Sequence, residues 1–231
     1  MYLFSQNAVS VVGRTRTGRK KTVMTIKRIA GAFAALGLLT MSGAANAAIT
    51  VSATEIDNLY DTNTAPPSSN LLFGQAMLLD FDTILNPLVS YTGNVVQGPQ
   101  QGCCTASPPY NGSLNGDNTK YASVQGNPAP SGLFSVASGY ALKSFSFYLG
   151  SPDTYNSIQF IGDNYNETLT GGQFTGGNTG QSWAWGTRIN FNFGGAVVNQ
   201  VVLRSTGNSF EVDNFAGTIQ AGVPEPATWA M

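Results

Sequence analysis

The chain has 231 residues with 11 basic and 12 acidic side chains and no histidine, so Ser-His-Asp and Cys-His nucleophilic systems and zinc sites with histidine ligands are excluded. Seven of the basic residues and no acid precede Ala48, which leaves four basic against twelve acidic residues after that point, a formal charge of −8. So few cations cannot neutralise a phosphate backbone, and nucleic acid is excluded as a partner.

The N-terminus reads as an export signal. Lys27 and Arg28 precede the apolar run Ile29 to Leu39, and small residues follow as far as Ala45-Asn46-Ala47. This is a basic region, an eleven-residue apolar region and an A-x-A cleavage site, with the cut expected between Ala47 and Ala48. The apolar run is shorter than the roughly 20 residues that a bilayer span needs. Met24 is the expected start, which makes residues 1–23 an upstream extension and residues 24–47 the signal peptide; the alternative is a long basic region that begins at Met1.

The 184 residues from Ala48 onward suit one domain with a sizeable core, here placed at residues 48–221. Gly, Asn, Ser and Thr are plentiful and amphipathic helical periodicity is nearly absent, so the expected class is all-β with many turns. Ile49 to Ile56 reads as a first strand, Asp57 to Asn70 as a loop, and Gln75 to Leu85 as a second strand. Alternation in that second strand would place Asp80 and Asp82 on one face and Phe81 on the other. Asn86 to Tyr91 reads as a third strand, and Gly93 to Asn118, rich in Gly, Pro, Asn and Ser, as a long surface loop.

That loop holds both cysteines, Cys103 and Cys104. As neighbours they cannot make a long-range staple together. In an exported chain they are candidates for a vicinal disulfide in a tight turn, or for pairing with another chain.

The second half is more regular. Tyr121 to Val124, Leu133 to Val136, Tyr140 to Leu149, Ser157 to Ile161, Tyr165 to Leu169, Thr187 to Phe193, Val197 to Arg204 and Phe210 to Ile219 read as strands. In Tyr140 to Leu149, alternation points Leu142, Ser144, Ser146 and Tyr148 one way and Lys143, Phe145, Phe147 and Leu149 the other. Gly150-Ser-Pro-Asp153, Gly162-Asp-Asn164, Gly194-Gly195 and Thr206-Gly207-Asn208 supply turns, and Gly171 to Gly180 a Gly-rich loop. Short strands at this spacing predict a β-sandwich of jelly-roll type with long Gly/Asn/Ser/Pro-rich loops.

The C-terminal residues 222–231 carry the most specific motif. Val223-Pro224-Glu225-Pro226, with Trp229-Ala230 following, resembles a PEP-CTERM sorting signal of the PEPxxWA subtype. The blocks Phe147 to Asn156, Ile158 to Gly162 and Asn208 to Ala216 resemble recurring segments of exosortase-dependent surface proteins that bear this signal. The resemblance implies recognition by an exosortase-type membrane protease and delivery to the surface of a Gram-negative cell. In that family an apolar span and an arginine cluster follow the motif and give a transient membrane association. The sequence here stops at Met231, before either, which reads as a truncated signal. The two prolines fix an extended backbone that a protease groove can grip.

Two constellations carry candidate ligand chemistry. In Phe210 to Phe215, alternation would place Phe210, Val212 and Asn214 on one face and Glu211, Asp213 and Phe215 on the other. This strand resembles the closing strand of jelly-roll carbohydrate-binding modules, where an acid near its end helps hold a structural calcium. Asp213, with Asp80 and Asp82, is the candidate oxygen set, weighed against solvated or turn-capping acids. The aromatics Trp183, Trp185, Tyr155 and Tyr165 lie in or beside turns and are candidates for stacking on sugar rings, with a place in the core or at a sheet edge as the alternative. Trp183-Ala-Trp185 would show both indoles on one face if the segment were extended. No pair of acids is singled out for glycoside hydrolysis, so the chain is read as non-catalytic. Two readings remain: a structural or adhesive component of the cell surface, extracellular matrix or biofilm, and a carbohydrate-binding module for exopolysaccharide, with or without calcium.

Overall fold

The computed structural model describes residues 48–55, 70–98, 109, 119–126, 131–184 and 187–222. Residues 1–47, Cys103, Cys104, Trp185 and the motif from Val223 to Ala230 lie outside the described residues. Among those described, no helix is long and apolar enough to cross a membrane.

Among the described residues, twelve strands form two antiparallel sheets. They are β1 (Thr50–Glu55), β2 (Ala76–Leu79), β3 (Val89–Thr92), β4 (Val95–Gln97), β5 (Lys120–Val124), β6 (Gly132–Val136), β7 (Tyr140–Leu149), β8 (Asn156–Gly162), β9 (Tyr165–Thr170), β10 (Thr187–Asn192), β11 (Gln200–Ser205) and β12 (Phe210–Ala221). The first sheet runs β1-β10-β7-β12-β5-β4, with β2 also paired to β12; the second runs β3-β6-β11-β8-β9. Within them lie the two four-stranded arrays β5-β12-β7-β10 and β6-β11-β8-β9. Between β5 and β12 the chain changes sheet at every connection except the β8–β9 hairpin, so this is a β-sandwich with jelly-roll topology.

Facing aromatic rings fill the space between the sheets. Phe134 of the second sheet and Phe145, Phe147 and Phe215 of the first are fully buried. The Phe215 ring centroid lies 5.1 Å from Phe145 and 5.5 Å from Phe134. Phe160 meets Phe191 and Phe193 from the opposite sheet, each at 4.9 Å. Burying such a ring stabilises the fold by roughly 1.5–3 kcal/mol.

The structure departs from simple alternation at three places. The second strand ends at Leu79, and Phe81 takes a positive φ of 62°, so Asp80 and Asp82 sit in a bend and do not share a strand face. Phe81 folds back on the core at 5.0 Å from Phe215. In β12, Asp213 pairs with Tyr148 while Ala216 pairs with Ser146, which leaves one extra residue on β12. Asn214 absorbs it with φ 52°, a conformation asparagine tolerates. The bulge turns Phe215 into the core alongside Phe210 and Val212, and corrects the expectation that Phe215 shares a face with Asp213.

The third departure lies in β7. Thr218 pairs with Ser144 and Ile219 with Leu142, so Lys143 is the extra residue on β7. Leu142 and Phe145 are both buried, three positions apart, and Lys143 is exposed. Strict alternation would have sent Lys143 inward with Phe145 and Phe147; the bulge re-aims it outward.

Smaller corrections concern the loops. The short β4 occupies part of the segment read as loop, and pairs with β5. Two single helical turns, α1 (Gly171–Phe174) and α2 (Gln181–Ala184), lie in the β9–β10 connection. At Gly171 a side chain would meet the Asp153 carbonyl at 1.9 Å, so only glycine lets the two segments approach this closely.

Candidate functional site, a polar trough on the outer face of the first sheet

The outer face of the first sheet is divided in two. Towards β5 it is buried although it is polar. Tyr121, Ser123, Glu211, Asp213, Tyr148 and Arg188 are all at most 1% exposed. The Arg188 guanidinium lies 4.2 Å from the Tyr148 ring centre and donates to the Asn214 carbonyl at 2.8 Å and to Ser146 Oγ at 3.2 Å. The bulge at Asn214 thus also supplies a carbonyl to a buried cation. Burial pushes the Glu211 carboxyl up to about 7, and the Asp153 charge adds to the rise; hydroxyls of Ser209 and Ser151 oppose it.

Towards β1 the same face opens into a trough of about 520 Å³. Its floor follows from strand register. Thr50, Asn192, Ser144 and Thr218 pair in turn across β1, β10, β7 and β12. A parallel row begins Ser52, Asn190, Ser146. At the usual strand spacing a row across four strands spans about 15 Å. The residues facing outward here are hydroxyls and amides because each strand alternates apolar-in and polar-out, apart from the bulged Lys143.

A short turn makes one wall. Gln75 N–H donates to the Leu72 carbonyl at 3.0 Å, closing the turn. Gln75 then anchors it to the sheet: its Nε2 donates to Ser144 Oγ at 3.4 Å, and Ser146 Oγ donates to its Oε1 at 3.3 Å. Thr218 Oγ1 donates to the Gly74 carbonyl at 2.7 Å. This anchoring holds Phe73 at the rim with its side chain fully exposed. Gly194, whose N–H donates to Asn192 Oδ1 at 2.9 Å, borders the trough elsewhere.

Among the described residues the lining contains no Asp or Glu, and Lys143 is its one ionisable side chain. Asn190, 2% exposed, uses its Nδ2 on Thr54 Oγ1 at 3.1 Å and on the Arg188 carbonyl at 3.3 Å. Its Oδ1 is buried without a partner. The trough therefore offers neutral donors and acceptors, one cation, the exposed Phe73 ring and apolar surface from Leu72 and Phe191. Among the described residues it holds neither the paired carboxyls of glycoside hydrolysis nor oxygen ligands charged enough to hold calcium.

The residues singled out from sequence do not converge. Asp80 Oδ1 accepts from Thr83 N–H, Asp82 Oδ2 accepts from Lys120 N–H at 3.2 Å, and buried Asp213 accepts from Asn214 N–H at 2.6 Å. Among the described residues no group of three or more His, Cys, Asp or Glu could hold a metal ion. Tyr155 immediately precedes β8 and Tyr165 pairs with Gly162 at the other end of that strand, so the two lie about 20 Å apart. Tyr155 donates to the Asn208 carbonyl at 2.7 Å, and the buried Tyr165 donates to Glu167. Trp183 lies in α2, where its N–H donates to the Gly180 carbonyl at 3.1 Å; the segment is helical rather than extended, and the indole packs on the core.

The trough residues were not singled out from sequence. The available signal was the polar face of three strands, Thr50 and Ser52, Ser144 and Ser146, Asn190 and Asn192. What brings those faces side by side is the β1-β10-β7 order, which sequence spacing does not reveal. No family model, no curated protein and no solved structure matches this chain.

Proposed function

We propose that the chain is an exported, non-catalytic surface module that adheres to polysaccharide of the extracellular matrix. The observation that carries the reading is the solvent-open trough in which, among the described residues, hydroxyls, amides and one lysine stand beside Leu72, Phe73 and Phe191 with no carboxylate. Such a surface exchanges hydrogen bonds with sugar hydroxyls and has no acid with which to cleave them. The acids with raised affinity for a proton, Glu211 and Asp153, lie elsewhere, and Glu211 is fully buried where no substrate reaches it.

Export is supported by the A-x-A leader ending at Ala47 and by the Pro224-Glu225-Pro226 motif. The test is expression of the intact gene in a Gram-negative host that has an exosortase. We expect the chain to be accessible to external protease, and replacement of Pro224, Glu225 and Pro226 by alanine to lower the amount so exposed. Recovery of the folded chain from the cytosol with its leader attached contradicts the reading.

A further inference from the structure

We propose that the trough selects a polysaccharide carrying sparse acidic groups, with Lys143 as the residue that reads them. This rests on the polysaccharide reading above and adds the chemical class of the polymer.

Four observations lead to it. Lys143 is one of only four basic residues after Ala48, yet it lies in a trough whose lining, among the described residues, has no carboxylate. The net charge of −8 after Ala48, Lys143 included, is screened beyond about 8 Å at physiological salt, so the nearest charge to a ligand in the trough is its own cation. Next, Lys143 reaches the trough only through the bulge that makes it the extra residue of β7. Without that bulge the side chain would point into the aromatic core, where an ammonium has no partner. A bulge that re-aims a single charged side chain into a cleft is a built feature.

Third, the Asn190 Oδ1 at the trough floor is a buried acceptor without a donor, and buried acceptors are nearly always satisfied. The oxygen is closed to solvent, so a sugar hydroxyl reaches it only when the side chains of the floor shift. Fourth, Phe73 offers an uncovered ring at the rim, a platform for the apolar face of a sugar. A linear polyanion with a charge every few ångströms needs many cations to release its counterions. One lysine among amides and hydroxyls is matched instead by a polymer in which an acidic sugar is separated by neutral ones.

Affinity electrophoresis of the full-length chain tests this. The gels contain hyaluronan, alginate or xanthan, each beside its carboxyl-reduced counterpart, and duplex DNA in a further lane. We expect retardation by hyaluronan or xanthan that exceeds retardation by alginate, which carries a carboxylate on every sugar, with at least tenfold weaker binding to the reduced form and a similar loss in Lys143→Gln; stronger retardation by alginate than by either overturns the inference. Lys143→Arg should retain binding, and chelation of calcium should change nothing. Lys143 is exposed, so neither variant threatens folding. Equal retardation by acidic and reduced polymers overturns the inference and leaves polysaccharide adhesion standing. No retardation by any sugar polymer overturns both, and stronger retardation by DNA, or undiminished binding by Lys143→Gln, overturns the inference alone.

Discussion

Arg188 and Glu211 show how a polar sheet face can be buried. Arg188 has a ring beneath its guanidinium and two oxygen acceptors, so its desolvation is offset by directed contacts. Glu211 is offset less well, and its proton affinity records this. Its pKa rises from 4.5 to about 7 because burial penalises the carboxylate. A raised folded-state value means that its contribution to stability is present in full below pH 4.5 and is lost as pH rises through about 7. The size of that loss is about 3 kcal/mol. Thermal melts from pH 4 to pH 8 should therefore show Glu211→Gln gaining on the native chain as pH rises. A constant difference between the two across that range would show that Glu211 is not desolvated as described.

Individual strands were legible because their residues announce them. The alternating run Tyr140 to Leu149 coincides with β7, and the hairpin turn at Asp163 and Asn164 joins β8 to β9. The bulges were not legible, since one inserted residue leaves no periodic trace. Asn214 and Lys143 each shift every later side chain to the opposite face, which is why Phe215 was assigned to the wrong side. The single turns α1 and α2 were missed because each is only four residues, too short for a 3.6-residue period to show. If the bulge in β12 depends on the left-handed backbone at Asn214, then Asn214→Val should destabilise the chain by about 1–2 kcal/mol and Asn214→Gly by much less. Chemical denaturation of the two variants checks this. Equal stability for valine and glycine would mean that the strand tolerates another register.

For the molecule as a whole, composition and turn spacing specify a jelly-roll sandwich, while ligand chemistry depends on which strands become neighbours. Trp183 and Tyr165 stand beside Gly-rich turns, where a sugar platform and a place in the core are both open from sequence; the fold packs the one on the core and buries the other. The trough instead gathers small polar residues from strands far apart in sequence: Thr50 and Ser52, Ser144, Asn190 and Asn192, and Thr218. None of them stands out alone. The most direct test is an NMR titration of the isotopically labelled chain with fragments of the polysaccharide that retards it most. The account predicts that shift changes concentrate at Ser52, Gln75, Lys143, Asn190 and Asn192. Changes centred on Tyr155 or Tyr165 with the trough silent would contradict it.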